Sequence, residues 1–502
     1  MNKILLIYPP YERFKYAAVG DFPVGLGYLA TMLEQAGFWA RIYNADHGLG
    51  DPQSPAGGDL MSRVRAHGQL AMRVNDPEHF IWREVRARLE EHRPDLVGLY
   101  ATTAAYPMVL KTLALAKEVL PGCRTILGGP HVTVLPDQVM ARPEVDFIIR
   151  GEGEFALTRL CQSLKAGDGD YKSIPGLGWR EGGQARINHD YKFIEDLDAL
   201  PLINRELLLD GQRFPAWVKG GYLLGSRGCP YRCTFCASAA IWHHRARYRS
   251  VDSLMAELKE LMARYQLKSF SFWDDTFTNS QKFLQSFCQR LIAERLEITW
   301  SCSTRANLIN EENLRLLKES GCTQIAIGVE SGSDRVLKAM KKGVTTEIIR
   351  RAGRLIKKAE IEFQALFVMG LPYETAEDLR LTIGIIKDLA PDSVNVSTFV
   401  PYPGTEAHDA AVRAGMMPAD FDWSTNLELG HHSLHNRFTP HVPEEEFRAI
   451  ILEALDLAKR INQPSAAKTL RRHWRRRGHY LSHPGEFLGK VARRLGRVVG
   501  RG

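Results

Sequence analysis

The sequence predicts an α/β protein built from two parallel-sheet modules in series. Short apolar runs alternate with helical patterns over residues 1–164, and the same rhythm returns from Tyr222 to about Thr405. Three cysteines, Cys229, Cys233 and Cys236, follow the first strand of the second module at C-x3-C-x2-C spacing, which marks where chemistry would sit.

In the first module Lys3–Tyr8 reads as a strand, Val24–Gln35 as a helix closed by Gly37, and Arg41–Tyr43 as a second strand. A long polar insertion over 44–77 precedes a helix near Phe80–His92, a strand at Leu96–Tyr100, a helix at Met108–Val119, and strands at Arg124–Leu127 and Val145–Ile149. A helix over Phe155–Leu164 closes the unit. Ligands of such sheets sit beyond the carboxyl ends of the strands, where the chain order reverses. Those ends carry Thr102-Thr103, Gly128-Gly129-Pro130-His131 and Gly151-Glu152-Gly153-Glu154. Glycine permits close backbone approach to a large flat ligand, and threonine hydroxyls can bond to its edge.

Residues 165–219 read as a turn-rich joining segment. The second module, 220–405, offers strands at Tyr222–Gly225, Ser269–Trp273, Thr299–Ser303, Gln324–Val329, Glu362–Val368 and Ser393–Val400, with helices between them. Six such units predict an open partial barrel, whose chemistry belongs at the carboxyl ends of its strands. Polar groups stand there: Trp273-Asp274-Asp275, Ser303-Thr304-Arg305 and Gly328-Val329-Glu330. Residues 406–502 read as a helical region ending in a basic tail.

Gly228 and Pro230 bracket the first of the three cysteines, so the backbone can curl the thiolates towards one point. A metal site is the natural reading of that residue chemistry. A three-thiolate iron–sulfur cluster, a zinc site completed by His243 or His244, and three ordinary buried cysteines are all compatible with the spacing alone.

With the aromatic Phe235 just before the third cysteine, the stretch Gly225–Cys236 resembles the cluster loop of the radical S-adenosylmethionine superfamily, and Gly370-Leu371-Pro372-Tyr373-Glu374-Thr375 resembles its Gly-Leu-Pro-Gly-Glu-Thr turn. Residues 1–164, above all Leu127–His131 with Arg150–Glu154, resemble the Rossmann-like (flavodoxin-like) cobalamin-binding domain placed before many of its members. The resemblance implies a 4Fe–4S cluster on Cys229, Cys233 and Cys236, and S-adenosylmethionine held by Phe235, Asp275, Ser303, Arg305 and Glu330. It also implies cobalamin against Thr102, Thr103, Gly128, Gly129, Pro130, His131, Gly151 and Glu152. The activity it implies is C-methylation of an unactivated carbon through a 5′-deoxyadenosyl radical and methylcobalamin, fed by a one-electron reductant such as flavodoxin or ferredoxin. A non-methylating oxidation, cyclisation or rearrangement is the alternative, and a non-enzymatic cobalamin sensor would leave the cysteines unexplained. Two departures stand out. The loop 11–20 lacks the D-x-H-x-x-G histidine that ligates cobalt in other cobalamin domains, and Asp274-Asp275 replaces the superfamily's Gly-Gly-Glu.

Composition is that of an ordinary globular protein, with no apolar run of about 18 residues, so neither a spanning helix nor a signal peptide is expected. Eight cysteines in 502 residues, three of them clustered, suit a cytoplasmic, reducing setting. The net charge of +8 is a property of the tail: residues 468–502 hold eleven Lys or Arg against one acid, Glu486. On a helical wheel Phe487, Leu488, Val491 and Leu495 share one side, with Lys490, Arg493, Arg494 and Arg497 beside them. That pattern is compatible with peripheral contact with an anionic membrane face, which would hint at a lipid substrate, equally with a disordered, solubilising tail, and as a third option with phosphate-backbone contact. A tRNA methylthiotransferase would need three further cysteines in the first module, which has only Cys123 and Cys161. Nucleic acid is therefore not the expected partner.

Overall fold

A computed structural model describes residues 1–15, 21–48, 60–431, 433–434 and 438–463, with side chains from residue 64 onward in the helix that begins at residue 60. The basic tail lies outside the described residues. Fifteen strands are numbered in chain order among the described residues: β1 (Lys3–Tyr8), β2 (Trp39–Asn44), β3 (Leu96–Tyr100), β4 (Arg124–Gly128), β5 (Phe147–Ile149), β6 (Leu177–Glu181), β7 (Gln184–Ile187), β8 (Tyr222–Leu223), β9 (Ser226–Arg227), β10 (Arg247–Tyr248), β11 (Ser269–Phe272), β12 (Thr299–Thr304), β13 (Cys322–Glu330), β14 (Glu362–Met369) and β15 (Ser393–Thr398).

The first sheet runs β2-β1-β3-β4-β5-β6-β7. Its first five strands are parallel. Ile4 to Ile7 of β1 are buried on both faces, as helices covering both sides of a parallel sheet require. The chain moves from β1 outward to β2 and then returns to β3 on the other side, so the order reverses at the carboxyl ends of β1 and β3.

The sheet does not stop at residue 164. Residues 177–187, expected within a joining segment, form the antiparallel hairpin β6–β7 on the edge of β5, turned at Gly182-Gly183 with φ of 57° and 82°. Only glycine takes two successive positive-φ positions without strain, which is what a tight hairpin needs. The polar face of so short a hairpin hides its strand character from periodicity.

The second sheet has the order β15-β14-β13-β12-β11-β8, six parallel strands with helices between them. The expected strand 222–225 is divided. Tyr222–Leu223 pairs with β11, and the chain then leaves the barrel because the Asp274 carboxylate takes the Gly225 N–H at 3.0 Å. Ser226–Arg227 pairs instead with β10, antiparallel, as a small ribbon apart from both sheets. Trp300 centres the barrel's aromatic core, with Phe272 and Phe287 edge-on at 5.5 and 5.7 Å. Thr375 and Asp378 cap the helix Ala376–Leu389 reciprocally. The open edge of β15 is closed by the helix Glu444–Asn462: the Asn462 amide accepts from Val394 N–H at 2.8 Å and donates to its carbonyl at 2.7 Å. No helix among the described residues is long and apolar enough to cross a membrane.

Glu374, in the turn after β14, is fully buried. One carboxyl oxygen accepts from Gly370 and Leu371 N–H at 2.6 and 2.8 Å, and the other has no hydrogen-bond partner. Burial pushes this carboxyl up to about 8 against the pull of those two N–H groups. A carboxyl whose folded value is raised stabilises the fold fully below its ordinary value of 4.5, and that contribution is lost as pH rises to about 8. The thermal midpoint is therefore expected to fall across that window, and Glu374→Gln, which does not titrate, is expected to flatten that part of a melting-temperature profile.

Candidate active site

A cavity of about 420 Å³ opens between the two modules. From the first module it is lined by the carboxyl ends of β1, β3, β4 and β5, with Tyr8, Tyr100, Gly128, Gly129 and Gly151 among its walls. From the second module come Leu224, Ser226, Arg227, Gly228, Trp242, Trp273 and Asp275. The switch point of one sheet and the root of the other's cluster loop, Ser226–Gly228 just ahead of the cysteines, thus face a single space.

Glycine shapes the first-module wall. Gly129 has φ of 109°, and a Cβ there would lie 2.9 Å from the Ala101 carbonyl; a Cβ on Gly98 would meet Leu6 at 2.7 Å. The rings of Tyr8 and Tyr100 stack 5.9 Å apart at the switch point. This cradle, apolar below and open above, fits a large flat ligand such as a corrin. Of the residues expected to touch cobalamin, Gly128, Gly129, Gly151 and Glu152 line the cavity. Thr102, Thr103, Pro130 and His131 stand off it. Thr102 Oγ1 accepts from Ala105 N–H at 3.3 Å, and Pro130 opens the short helix Pro130–Val134. His131 is fully buried, its Nδ1 is 3.2 Å from the Thr103 hydroxyl, and its ring packs on Tyr106 at 4.1 Å. Burial lowers the imidazole to about 3, which keeps His131 neutral behind the cavity wall. The Asp46-His47 pair after β2 stands off the cavity: Asp46 is buried against Arg13 N–H, and His47 packs on Phe214 at 3.9 Å. Glu152 lines the cavity, and each of its carboxylate oxygens is paired with an arginine of the second module.

Around the three cysteines the chain supplies cations and hydrogen-bond donors. None of the three is in a disulfide; Cys233 is buried, and Cys229 and Cys236 are partly exposed. Arg305, buried at the end of β12, donates from Nη1 to Cys233 Sγ at 3.3 Å, and from its other terminal nitrogen to the Lys342 carbonyl. Its guanidinium also lies 3.7 Å from the centre of the Tyr231 ring. Thr276 Oγ1 is 3.5 Å from Cys229 Sγ. Burial pushes the Cys236 thiol up to about 12, with Asp275, Cys233 and Cys229 adding to it, so a bound cation is what would draw the proton off. Among the described residues no three His, Cys, Asp or Glu side chains converge as a single-ion site. His244 Nδ1 lies 3.1 Å from the Tyr231 carbonyl and His243 Nε2 3.3 Å from the Tyr191 hydroxyl, so neither completes a zinc knuckle. A thiol set without a fourth protein ligand, donated to by an arginine, fits a cluster whose thiolates bind separate irons.

The remaining expected residues lie along the barrel rim. Asp274 is fully buried, accepts from Ser226 Oγ at 2.5 Å as well as Gly225 N–H, and is raised to about 6 by burial; it anchors the start of the cluster loop. Asp275 faces the cavity and accepts from Ser238 Oγ at 2.8 Å, with burial raising its carboxyl. Glu330 sits at a register shift between β13 and β14 with φ of 67°, and accepts from Lys342 Nζ at 2.6 Å. Ser303 is half-buried on β12, and Phe235 packs partly buried against the core. Sequence reasoning missed Lys342, Tyr231 and Arg227. Lys342 follows another lysine at a helix end and carries no spacing signal, whereas Arg227 and Tyr231 stand inside the cysteine loop itself.

Cys229→Ala, Cys233→Ala and Cys236→Ala are each expected to lose iron and acid-labile sulfide after anaerobic reconstitution, measured per chain. Lys342→Met would leave the Glu330 carboxylate buried without its partner, at an expected cost of about 3–5 kcal/mol. A fall in the thermal midpoint, absent in Lys341→Met, checks it.

Residues 21–161 match the B12 binding domain family and residues 223–385 the Radical SAM superfamily. The chain is 31% identical over 418 residues to an uncharacterized methyltransferase of Pyrococcus horikoshii, covering 83% of this chain and 84% of that one. It is 30% identical over 411 residues to an anaerobic magnesium-protoporphyrin IX monomethyl ester cyclase of Rubrivivax gelatinosus, covering 80% and 68%. The fold is shared with the radical S-adenosylmethionine methyltransferase TsrM from Kitasatospora setae, solved with cobalamin and a 4Fe–4S cluster bound: TM-score 0.64, 19% identity, 82% of this chain and 78% of that one. With a cobalamin cradle and a cysteine cluster loop facing one cavity, this chain belongs to the cobalamin-dependent radical S-adenosylmethionine enzymes.

Proposed function

We propose that this enzyme is a C-methyltransferase acting on an unactivated carbon of a small-molecule or lipid substrate. The observation that carries the reading is the single cavity lined at once by the glycine cradle and by the cluster loop. When bound, the cofactors supply a 5′-deoxyadenosyl radical and a transferable methyl group. The chain's own residues would hold them close and keep water out. Cys229, Cys233 and Cys236 would ligate the cluster, with Arg305 donating to the Cys233 sulfur. Asp275, on the cavity wall, would accept from the amino end of S-adenosylmethionine, and Glu330, oriented by Lys342, would contact it from the fourth barrel strand. Gly128, Gly129 and Gly151 would lie against the corrin, above the Tyr8–Tyr100 stack.

Among charged cavity-wall side chains, the cation Arg227 is already matched by Glu152 and Glu154, while Asp21 and Asp275 face the space bonded only to neutral hydroxyls among the described residues, those of Tyr222 and Ser238. That balance favours a neutral or cationic substrate. A one-electron reductant such as flavodoxin or ferredoxin would serve the cluster. The basic residues 468–502, known here from sequence alone, would bring the enzyme to the inner membrane face of a reducing cytoplasm. The relative named as a cyclase supports a second reading, radical ring closure without methyl transfer.

The two readings separate by products. Anaerobically reconstituted enzyme, given S-adenosylmethionine, hydroxocobalamin, a reductant and extracted metabolites of its host, is expected to release both 5′-deoxyadenosine and S-adenosylhomocysteine. One metabolite should gain a methylene's worth of mass. Deoxyadenosine without S-adenosylhomocysteine, and with a product lighter by hydrogen, would favour the cyclase reading and reject methylation.

A further inference from the structure

Four buried charges lie between the modules. Glu152 and Glu154 come from the turn after β5, and Arg227 and Arg247 face each other across the β9–β10 ribbon. Arg227 donates from Nη1 to Glu152 Oε1 and from Nη2 to Glu154 Oε1, both at 2.6 Å, and Arg247 Nη1 donates to Glu152 Oε2 at 2.6 Å. The Ile194 N–H adds a bond to Glu152 Oε2 at 2.7 Å. Tyr28 lies 5.1 Å from the Arg227 guanidinium, and Phe193 and Trp242 lie 4.8 and 5.4 Å from that of Arg247. The Glu152 side chain is 2% exposed.

Buried ion pairs seldom hold a fold together better than apolar packing would; what they can specify is register, because paired charges in a dry site have few acceptable geometries. Here the register is between two cofactor-bearing segments. Gly151 and Gly153, on either side of Glu152, line the corrin cradle, and Cys229 is two residues beyond Arg227. The intervening link has no slack: Gly228 has φ of 88°, and a Cβ there would lie 2.1 Å from the Arg245 carbonyl on the ribbon's own turn.

We propose that this four-charge clasp couples the two cofactor sites. Glu152, Arg227 and Arg247 are positioning residues that tie the Gly151–Glu154 turn to the root of the cluster loop. Filling the first-module cradle thereby orders residues 226–236. Glu152 acts through the arginines and not by touching the corrin. The inference rests on the cofactor assignment made above for what fills the cradle.

Hydrogen–deuterium exchange on the full-length, cluster-reconstituted chain, with and without hydroxocobalamin, tests it. In the wild type hydroxocobalamin is expected to slow exchange both in peptides covering 126–131 and in those covering 226–236. In Glu152→Gln the slowing at 126–131 should persist while that at 226–236 drops by on the order of fivefold or more, as the loss of a coupling energy between sites predicts. Arg227→Lys, which keeps the charge but not the two-pronged donor, should show the same split and carries the test should Glu152→Gln fail to fold. Undiminished slowing at 226–236 in either folded variant overturns the clasp. So does loss of hydroxocobalamin retention in Glu152→Gln, which would make Glu152 a corrin contact. Failure of the wild type to retain hydroxocobalamin would instead overturn the cofactor assignment, and the coupling with it.

Discussion

Two parallel sheets that each place their ligand beyond the carboxyl ends of their strands can cooperate only where those ends face each other. In this protein a cluster of paired charges lies at that meeting point. Glu152 and Glu154 leave the carboxyl end of β5, and Arg227 and Arg247 leave the ribbon that interrupts the barrel's first strand. Burial alone would raise the Glu152 carboxyl, yet the Arg247 and Arg227 guanidiniums and the Ile194 N–H outweigh it and hold it below its ordinary range. The group stays charged inside the protein, and a buried charge tolerates little displacement of its partner. The cavity beside it, which Glu152, Glu154 and Arg227 help to line, would give the proximity that radical and methyl chemistry both need.

The barrel rim repeats the same device on a smaller scale. Asp274 holds the first turn of the cluster loop through Gly225 and Ser226, Arg305 reaches the loop's middle at Cys233 and Tyr231, and Lys342 is tied to both Arg305 and Glu330. The loop itself has little regular structure, so its shape depends on side chains supplied by β11, β12 and the segment after β13. Preorganisation by surrounding elements is what lets a short, glycine-containing loop present three thiols in a fixed arrangement.

Relatives of this chain are named for two chemistries, methyl transfer and ring closure. What would decide between them is not the cluster loop or the glycine cradle, which either outcome needs, but the polar groups on the wall between. There Asp275 and Asp21 are acids raised by burial, and Trp273 is 45% exposed beside them. Such a wall discriminates by charge and shape, and it is built from strand ends and loops whose sequences can vary without disturbing either sheet.

Much of this molecule was legible in the residues alone. Strand–helix alternation pointed to two parallel sheets because that signal is local and periodic, whereas the cluster loop and the glycine cradle were legible through resemblance to a known family, since the Cys229–Cys233–Cys236 spacing by itself left a zinc site and ordinary buried cysteines open. The tertiary structure alone decided which side chains reach that space. His131, four residues on from Leu127 in a glycine-rich turn, proved to be buried behind the wall, and Glu152 proved to be claimed by two arginines far along the chain. The hairpin β6–β7 and the pairing of Lys342 with Glu330 were equally hidden. Direction of a side chain and the identity of a distant partner are set by how separate elements pack, and no spacing within one segment encodes them.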